Sequence, residues 1–290
     1  MSIMRRALAP LLTLATSIAL AYALFGLGFV VCTTPQATAA IGGTFSGWEN
    51  SVFPEEDMAA IAEATRAFSI EGAPVNEPSD AIRSALENSN PQLAEAFAAS
   101  GLDIAANQGK AASVAGALSD RYTLPQNALS HLQDCTPIFT TGRISVGVVG
   151  GFALVGLIAL GFLTGRKGAG RAMQLGAALV AATLLALAAW AITDFDGLFT
   201  WMHQMLFSQG NWTFSASSLL IQLFPEAFWA AMAALWVICS LICAALCGLS
   251  REGYRALVGN KGTGSVFPTR YNRQRKSLAC TISRKQGSSS

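Results

Sequence analysis

The side chains best suited to chemistry near neutral pH are few in this sequence, which has two histidines, His131 and His203. An imidazole with an ordinary pKa near 6.5 can serve as base, acid or hydrogen-bond donor. Cys135 follows His131 by four residues, so a helix would set both on one face and make a Cys/His nucleophile one candidate. The same cysteine is equally placed to be buried or to pair with Cys32. The plain alternative is two unrelated surface or interfacial histidines. Metal chemistry is a weak candidate: two imidazoles with Asp134 and Asp196 nearby lack the ligand spacing of a zinc site. No metal or cofactor is expected.

The elements that must carry these residues follow from composition. Of 290 residues, 52% are apolar and 12% charged, against about a quarter charged in an ordinary soluble domain. That balance excludes a disordered chain, a disulfide-framed mini-protein and a strongly basic nucleic-acid module. Four stretches, 7–31, 144–163, 172–192 and 229–249, contain no Lys, Arg, Asp, Glu or His, and each reaches the roughly 20 residues a helix needs to cross a bilayer. The expected fold class is therefore an all-α integral membrane protein with four transmembrane helices and an extracytoplasmic helical cap.

Charge assigns the sides. The stub before the first span, the turn between the second and third, and the tail after Leu249 hold 14 Lys or Arg and one acid, whereas segments 32–143 and 193–228 hold 5 basic and 16 acidic residues. Lys and Arg resist translocation, which predicts cytoplasmic termini and an acidic outer face in a plasma membrane. The order is then a stub and first span (1–31), an outer helical domain (32–143), spans two and three with a short inner turn (144–192), an outer loop with His203 (193–228), a fourth span (229–249) and a flexible basic tail (250–290). Cleavage of the first span at the Ala37-Thr38-Ala39 pattern would leave three spans, but its apolar core of about 25 residues exceeds a signal h-region, so a retained helix is expected.

Within the outer domain, Pro54 and the acids at 55–57 suit a helix start running to about Phe68. Further helices are expected near 79–88, 92–99 and 126–138, around a core made thin by alanine. Gly147 and Gly151 offer a small-residue contact face, and Cys239, Cys243 and Cys247 share one face of the fourth span as apolar packing. Basic residues of the tail, Arg270, Arg273, Arg275 and Lys276, suit anionic lipid head groups better than nucleic acid. Asn211-Trp212-Thr213 is an N-glycosylation sequon, relevant only in a host that glycosylates. No span contains a Lys, Arg, Asp, Glu or His, which disfavours ion or proton transport.

The block from Phe199 through His203 to Phe214, followed by Leu223-Phe224-Pro225-Glu226, resembles the bacterial integral membrane family that includes the lipoprotein intramolecular transacylases. Asn127 to Cys135, with a histidine followed by an aspartate three residues later, resembles its other signature, and Pro54 to Ile61 the helix that opens its outer domain. Cys135 stands where that family usually has an aliphatic residue. The resemblance implies transfer of the sn-2 acyl chain of a diacylglyceryl-cysteine lipoprotein to that cysteine's own amino group. It makes His131 and His203 catalytic, one as general base and the other as oxyanion stabiliser or acid. Asp134, Gln204, Asn211 and Trp212 would orient the site or substrate, with Asp134 either fixing the His131 tautomer or merely capping. The partners implied are a diacylated lipoprotein and membrane lipids, with no nucleic acid. Two other classes fit the same residues: a phospholipid acyltransferase or lipase at the outer leaflet, and a non-enzymatic scaffold or lipoprotein-binding protein.

Overall fold

The computed structural model describes residues 3–99 and 120–259, with side-chain burial described for 8–99 and 120–249. Ten α-helices are seen among the described residues: α1 (Ile3–Cys32), α2 (Pro35–Phe45), α3 (Glu55–Arg66), α4 (Asn76–Ser89), α5 (Pro91–Ala99), α6 (Gln126–Thr164), α7 (Arg166–Thr193), α8 (Phe195–Leu206), α9 (Leu219–Leu223) and α10 (Glu226–Gly259). No β-strand is present among them. Among the described residues, four stretches are long and apolar enough to cross a membrane: Leu8–Cys32, Gln126–Thr164, Arg166–Thr193 and Glu226–Leu249. The chain divides into two units, Met1–Gly248 and Leu249–Ser290. The second is helical to Gly259, and the basic cluster expected to meet lipid lies outside the described residues.

The bundle is built on α1, which packs against α6 and α7 around Leu20, Leu24, Ala153, Val180, Leu184 and Ala244. Trp236 Nε1 and Ser240 Oγ of α10 both donate to Phe25 O, at 2.8 and 3.1 Å. That approach depends on Gly28, where a Cβ would collide with Trp236 and Ser240. Small residues let membrane helices meet this closely. The expected face at Gly147 and Gly151 is not used, because a Cβ at either would meet nothing within 4 Å. The contacts of α6 run instead through Val146, Ala153, Gly156 and Leu160, and 147 and 151 fall on the lipid-facing side with Val148, Phe152 and Val155. Cys243 and Cys247 pack against the bundle core as apolar residues.

The largest departure from the sequence reading is α6. A helix over 126–138 and a separate span from Ile144 form one helix of 39 residues, about 58 Å long, nearly twice the hydrocarbon thickness of roughly 30 Å. Pro137 lies inside it, at the cost of one backbone hydrogen bond. Packing carries the helix through: Phe29 stacks on Phe139 with centroids 5.7 Å apart and rings 6° from parallel, and Gly142 admits the same ring. Since Phe29 lies one turn from the end of α1, the bundle ends near residue 139 on this side, and the turns of α6 before it extend beyond the bundle.

Those turns enter a cap whose core is not thin. Trp48, Phe53, Met58, Ile61, Ile82 and Leu86 are joined by Leu124, Ala128, Leu129 and Leu132 and, from the second outer segment, by Leu219, Leu220 and Leu223. Alanine supplies little volume, and leucines distant in sequence make up the difference. Trp48 Nε1 donates to Leu223 O at 3.2 Å, and Val52 N to Gln222 Oε1 at 3.4 Å. The helix expected to run to about Phe68 ends at Arg66 and continues as a π turn over Ala67–Glu71, which brings Glu71 back onto Arg66. The guanidinium, 3% exposed, bonds Glu63 at 2.7 Å and Glu71 at 2.9 Å and donates to Thr33 O at 3.2 Å. It thereby supplies a donor at the carboxyl end of α1, where helix carbonyls lack partners. Arg66→Met leaves that carbonyl and two carboxylates without their donor, and an expected loss of about 1–3 kcal/mol would appear as a lower melting temperature in detergent; an unchanged melting temperature would contradict the anchoring role.

Candidate functional site: two buried imidazoles

His131 occupies the second turn of α6, where Ala128, Leu129 and Leu132 face the cap core and turn the imidazole toward the second outer segment. His203 lies near the end of α8, which follows α7 after the single capping residue Asp194, whose carboxylate accepts from Gly197 N at 2.8 Å. The chain thus turns at a single residue, which brings Trp201 back to within 5.4 Å of Trp190. Residues 199, 203 and 207 fall on one side, and that side meets α6: the imidazole centroids are 6.0 Å apart with planes 29° from parallel. Phe199 and Trp212 stand 3.9 and 5.1 Å from His203, and Phe207 and Phe214 stand 4.6 and 5.8 Å from His131. Each histidine is 9% exposed.

Burial in an aromatic box makes both imidazoles neutral at physiological pH. Desolvation lowers the pKa of His131 to about 4, with His203 adding to the effect and Asp134 opposing it. Desolvation also lowers that of His203, against the hydrogen bond to Phe199. His203 Nδ1 lies 2.9 Å from Phe199 O. A carbonyl only accepts, so Nδ1 carries the proton and Nε2 keeps its lone pair. The partner of His131 is Cys135, whose Sγ is 3.9 Å from Nε2. Burial, with the charge of Asp134, pushes that thiol up to about 12. A thiol so held stays protonated, which removes the Cys/His nucleophile candidate. The Cys32–Cys135 pairing is not formed either: both are free, and Cys32 Sγ donates to Met232 O at 3.4 Å.

Asp134 does not fix the His131 tautomer. Its Oδ2 accepts from Asn211 Nδ2 at 3.0 Å, and Ser130 Oγ lies 3.4 Å from the same amide. Asn211 is thereby clamped across one turn of α6, with its Oδ1 buried and unpartnered, as is Nδ1 of His131. The site therefore keeps two unpartnered polar atoms among apolar rings, a donor or acceptor each that a bound molecule could satisfy. Trp212 contributes as a ring beside His203, whereas Gln204 is exposed and takes no part in this contact. The sequence reading missed Phe199, Phe207, Phe214 and Ser130; the i, i+4 spacing of Phe199, His203 and Phe207 was the available signal. No group of three or more His, Cys, Asp or Glu is disposed around a metal among the described residues.

The profile of the family described as lipoprotein intramolecular transacylase Lit matches residues 108–229, a stretch containing both histidines. Over that stretch the chain matches the Lit family. Two solved structures agree in fold: the integral membrane Lit from Bacillus cereus, with TM-score 0.60 and 17% identity over 88% of this chain and 98% of that one, and a histidine-to-arginine variant of it, with TM-score 0.57 and 17% identity over 89% and 95%. Among curated proteins, none matches the sequence. The Lit family is one of acyltransferases, and the shared fold is that of an all-α integral membrane protein.

The neutral state of His131 has a consequence for stability. The folded protein holds the ring unprotonated to about pH 4, whereas an unfolded chain protonates it near 6.5. Between those values the unfolded state binds more protons, so this contribution is complete above about pH 6.5 and is lost as pH falls toward 4. The melting temperature is expected to drop over that interval, and to drop less in His131→Phe. A slope unaltered by the substitution would contradict the assignment.

Proposed function

We propose that the protein is a lipoprotein intramolecular transacylase acting at the outer face of the plasma membrane. It would move the sn-2 acyl chain of a diacylglyceryl-cysteine lipoprotein to the same cysteine's α-amino group, giving a lyso-form lipoprotein. The observation that carries this reading is the pair of buried, neutral imidazoles facing each other inside the segment that matches the Lit family. The outward placement is supported by the surplus of Lys and Arg in the opposite segments.

The reaction forms one C–N bond and breaks one C–O bond, with the acyl chain kept on one molecule. Amine and ester belong to the same substrate, so orientation alone can contribute up to roughly 7 to 11 kcal/mol. The α-ammonium, with pKa about 8, first gives up one proton to solvent; as the free amine attacks, the protein must take a second proton from nitrogen, stabilise a tetrahedral oxyanion and return that proton to the departing glycerol oxygen.

His203 suits the base. Phe199 O fixes its Nδ1 proton, leaving Nε2 to accept from the attacking amine and then to donate to the leaving oxygen. His131 suits the oxyanion. With the Cys135 thiol turned toward Nε2, the ring proton rests on Nδ1, a buried donor that has no partner until an anionic oxygen arrives. Both imidazoles have lowered pKa values, so the division of roles rests on which nitrogen each ring leaves free: Nε2 with its lone pair on His203, and the Nδ1 donor on His131, which suits a developing negative charge. Asn211 Oδ1, held in place by Asp134, is available to accept from the substrate amine. The aromatic rings exclude water, which would otherwise compete as acyl acceptor.

The test is expression beside a diacylated lipoprotein, with mass spectrometry locating the acyl chain on the terminal cysteine. The N-acyl lyso-form is expected, and His131→Ala and His203→Ala are each expected to lower its rate by about 10² to 10⁴. An unchanged diacylglyceryl form beside well-expressed protein would overturn the reading, and acylated free lysolipid or released fatty acid would convert it to a phospholipid acyltransferase or lipase. Full activity in both variants would remove the histidine assignment.

A further inference from the structure

The three sides of α8 have different characters. One presents Phe199 and His203 to the site. A second carries Asp196, Thr200 and Gln204 at intervals of four, so these polar residues share one edge. The third carries Trp201, Met202, Met205 and Leu206, which are 48, 37, 61 and 40% exposed. A helix bathed in water on both free sides would not leave four large apolar side chains together on one of them.

That exposed side continues an apolar surface already present. α7 ends one residue before α8, and its last turns expose Trp190 and Ile192. The rings of Trp190 and Trp201 are 5.4 Å apart, so the exposed surface of α7 passes without a break onto α8. Trp229, in the first turn of α10, is likewise exposed and donates its Nε1 to Phe224 O at 3.0 Å. Tryptophans with an apolar ring in lipid and a satisfied N–H mark the boundary of a bilayer.

We infer that α8 is an interfacial helix lying along the boundary of the leaflet on the histidines' side, with Trp201, Met202, Met205 and Leu206 among phospholipid acyl chains. Its polar edge then faces the head groups, and its third side holds His203 at the depth where head groups give way to chains. That is the layer in which an ester of a bilayer lipid lies. The occupant is set by continuity with the membrane-facing surface of α7. The inference stands on the membrane fold and holds whatever reaction the histidines perform.

The test places the photoreactive amino acid benzoylphenylalanine at Met205 or, for comparison, at exposed Ser217, in the full chain reconstituted into vesicles of phosphatidylethanolamine and phosphatidylglycerol. After irradiation, mass spectrometry is expected to find a phospholipid adduct on the peptide containing position 205 and none on that containing 217. Cross-linked dimers from position 205 would mean that a second copy covers this face, and a lipid-free result at 205 would mean that water does; either overturns the inference. A second measurement needs no photoreactive group. Lipids brominated near the head-group end of their chains quench nearby tryptophan, and Trp201→Phe is expected to remove part of the quenched fluorescence. A quenched share the same with and without Trp201 would also overturn it.

Discussion

The structure depends on a membrane helix that is longer than the membrane. About 20 residues would take α6 across the bilayer, yet it has 39, and the surplus at its amino-terminal end does two things at once. Ala128, Leu129 and Leu132 complete the cap core, and His131, between them in sequence, is held at its side against Phe207 and Phe214. Because a helix is stiff over this length, the imidazole is fixed relative to both cap and bundle. The second outer segment is fixed by the same core, through Leu219, Leu220 and Leu223. His203 has little freedom to move away, since the residues on both sides of its loop are held.

Burial then determines the state of the pair. Two imidazoles 6.0 Å apart in water would each titrate near neutrality, and one would often be charged. Among Phe199, Phe207, Trp212 and Phe214 the charged form is disfavoured and both stay neutral. Each ring has one nitrogen committed, to Phe199 O or toward the Cys135 thiol, and one free. Asp134, the carboxylate nearest His131 in sequence, is bound to Asn211 rather than to the ring, so the clamp it forms positions a neighbour.

Much of this was legible in the sequence. Four uncharged runs gave the spans, the acids at 55–57 gave the start of α3, and the residue types around His131 and His203 singled out the pair. The misreadings have physical causes. Pro137 and Arg143 look like a break in α6, but the break is overridden by the stacking of Phe29 on Phe139, a contact between residues far apart in the chain. The cap looked poorly cored because part of its core, Leu219, Leu220 and Leu223, comes from the segment after α8. Gly147 and Gly151 have the spacing of a contact face without the neighbour, and which face of a helix is covered is decided by the whole bundle. Arg66 gave no signal at all, because its worth lies in a π turn and in a carbonyl of α1.

In the proposed reaction the acyl chain never leaves its own substrate molecule. This is tested most directly in proteoliposomes holding the purified protein and a mixture of two diacylglyceryl-cysteine peptides, one with heavy isotope in the sn-2 chain and a light peptide, the other with light chain and heavy peptide. Mass spectrometry of the N-acylated products is predicted to show each chain on its original peptide, with no crossed pairs. Crossed products, or labelled free fatty acid in their place, would contradict the account.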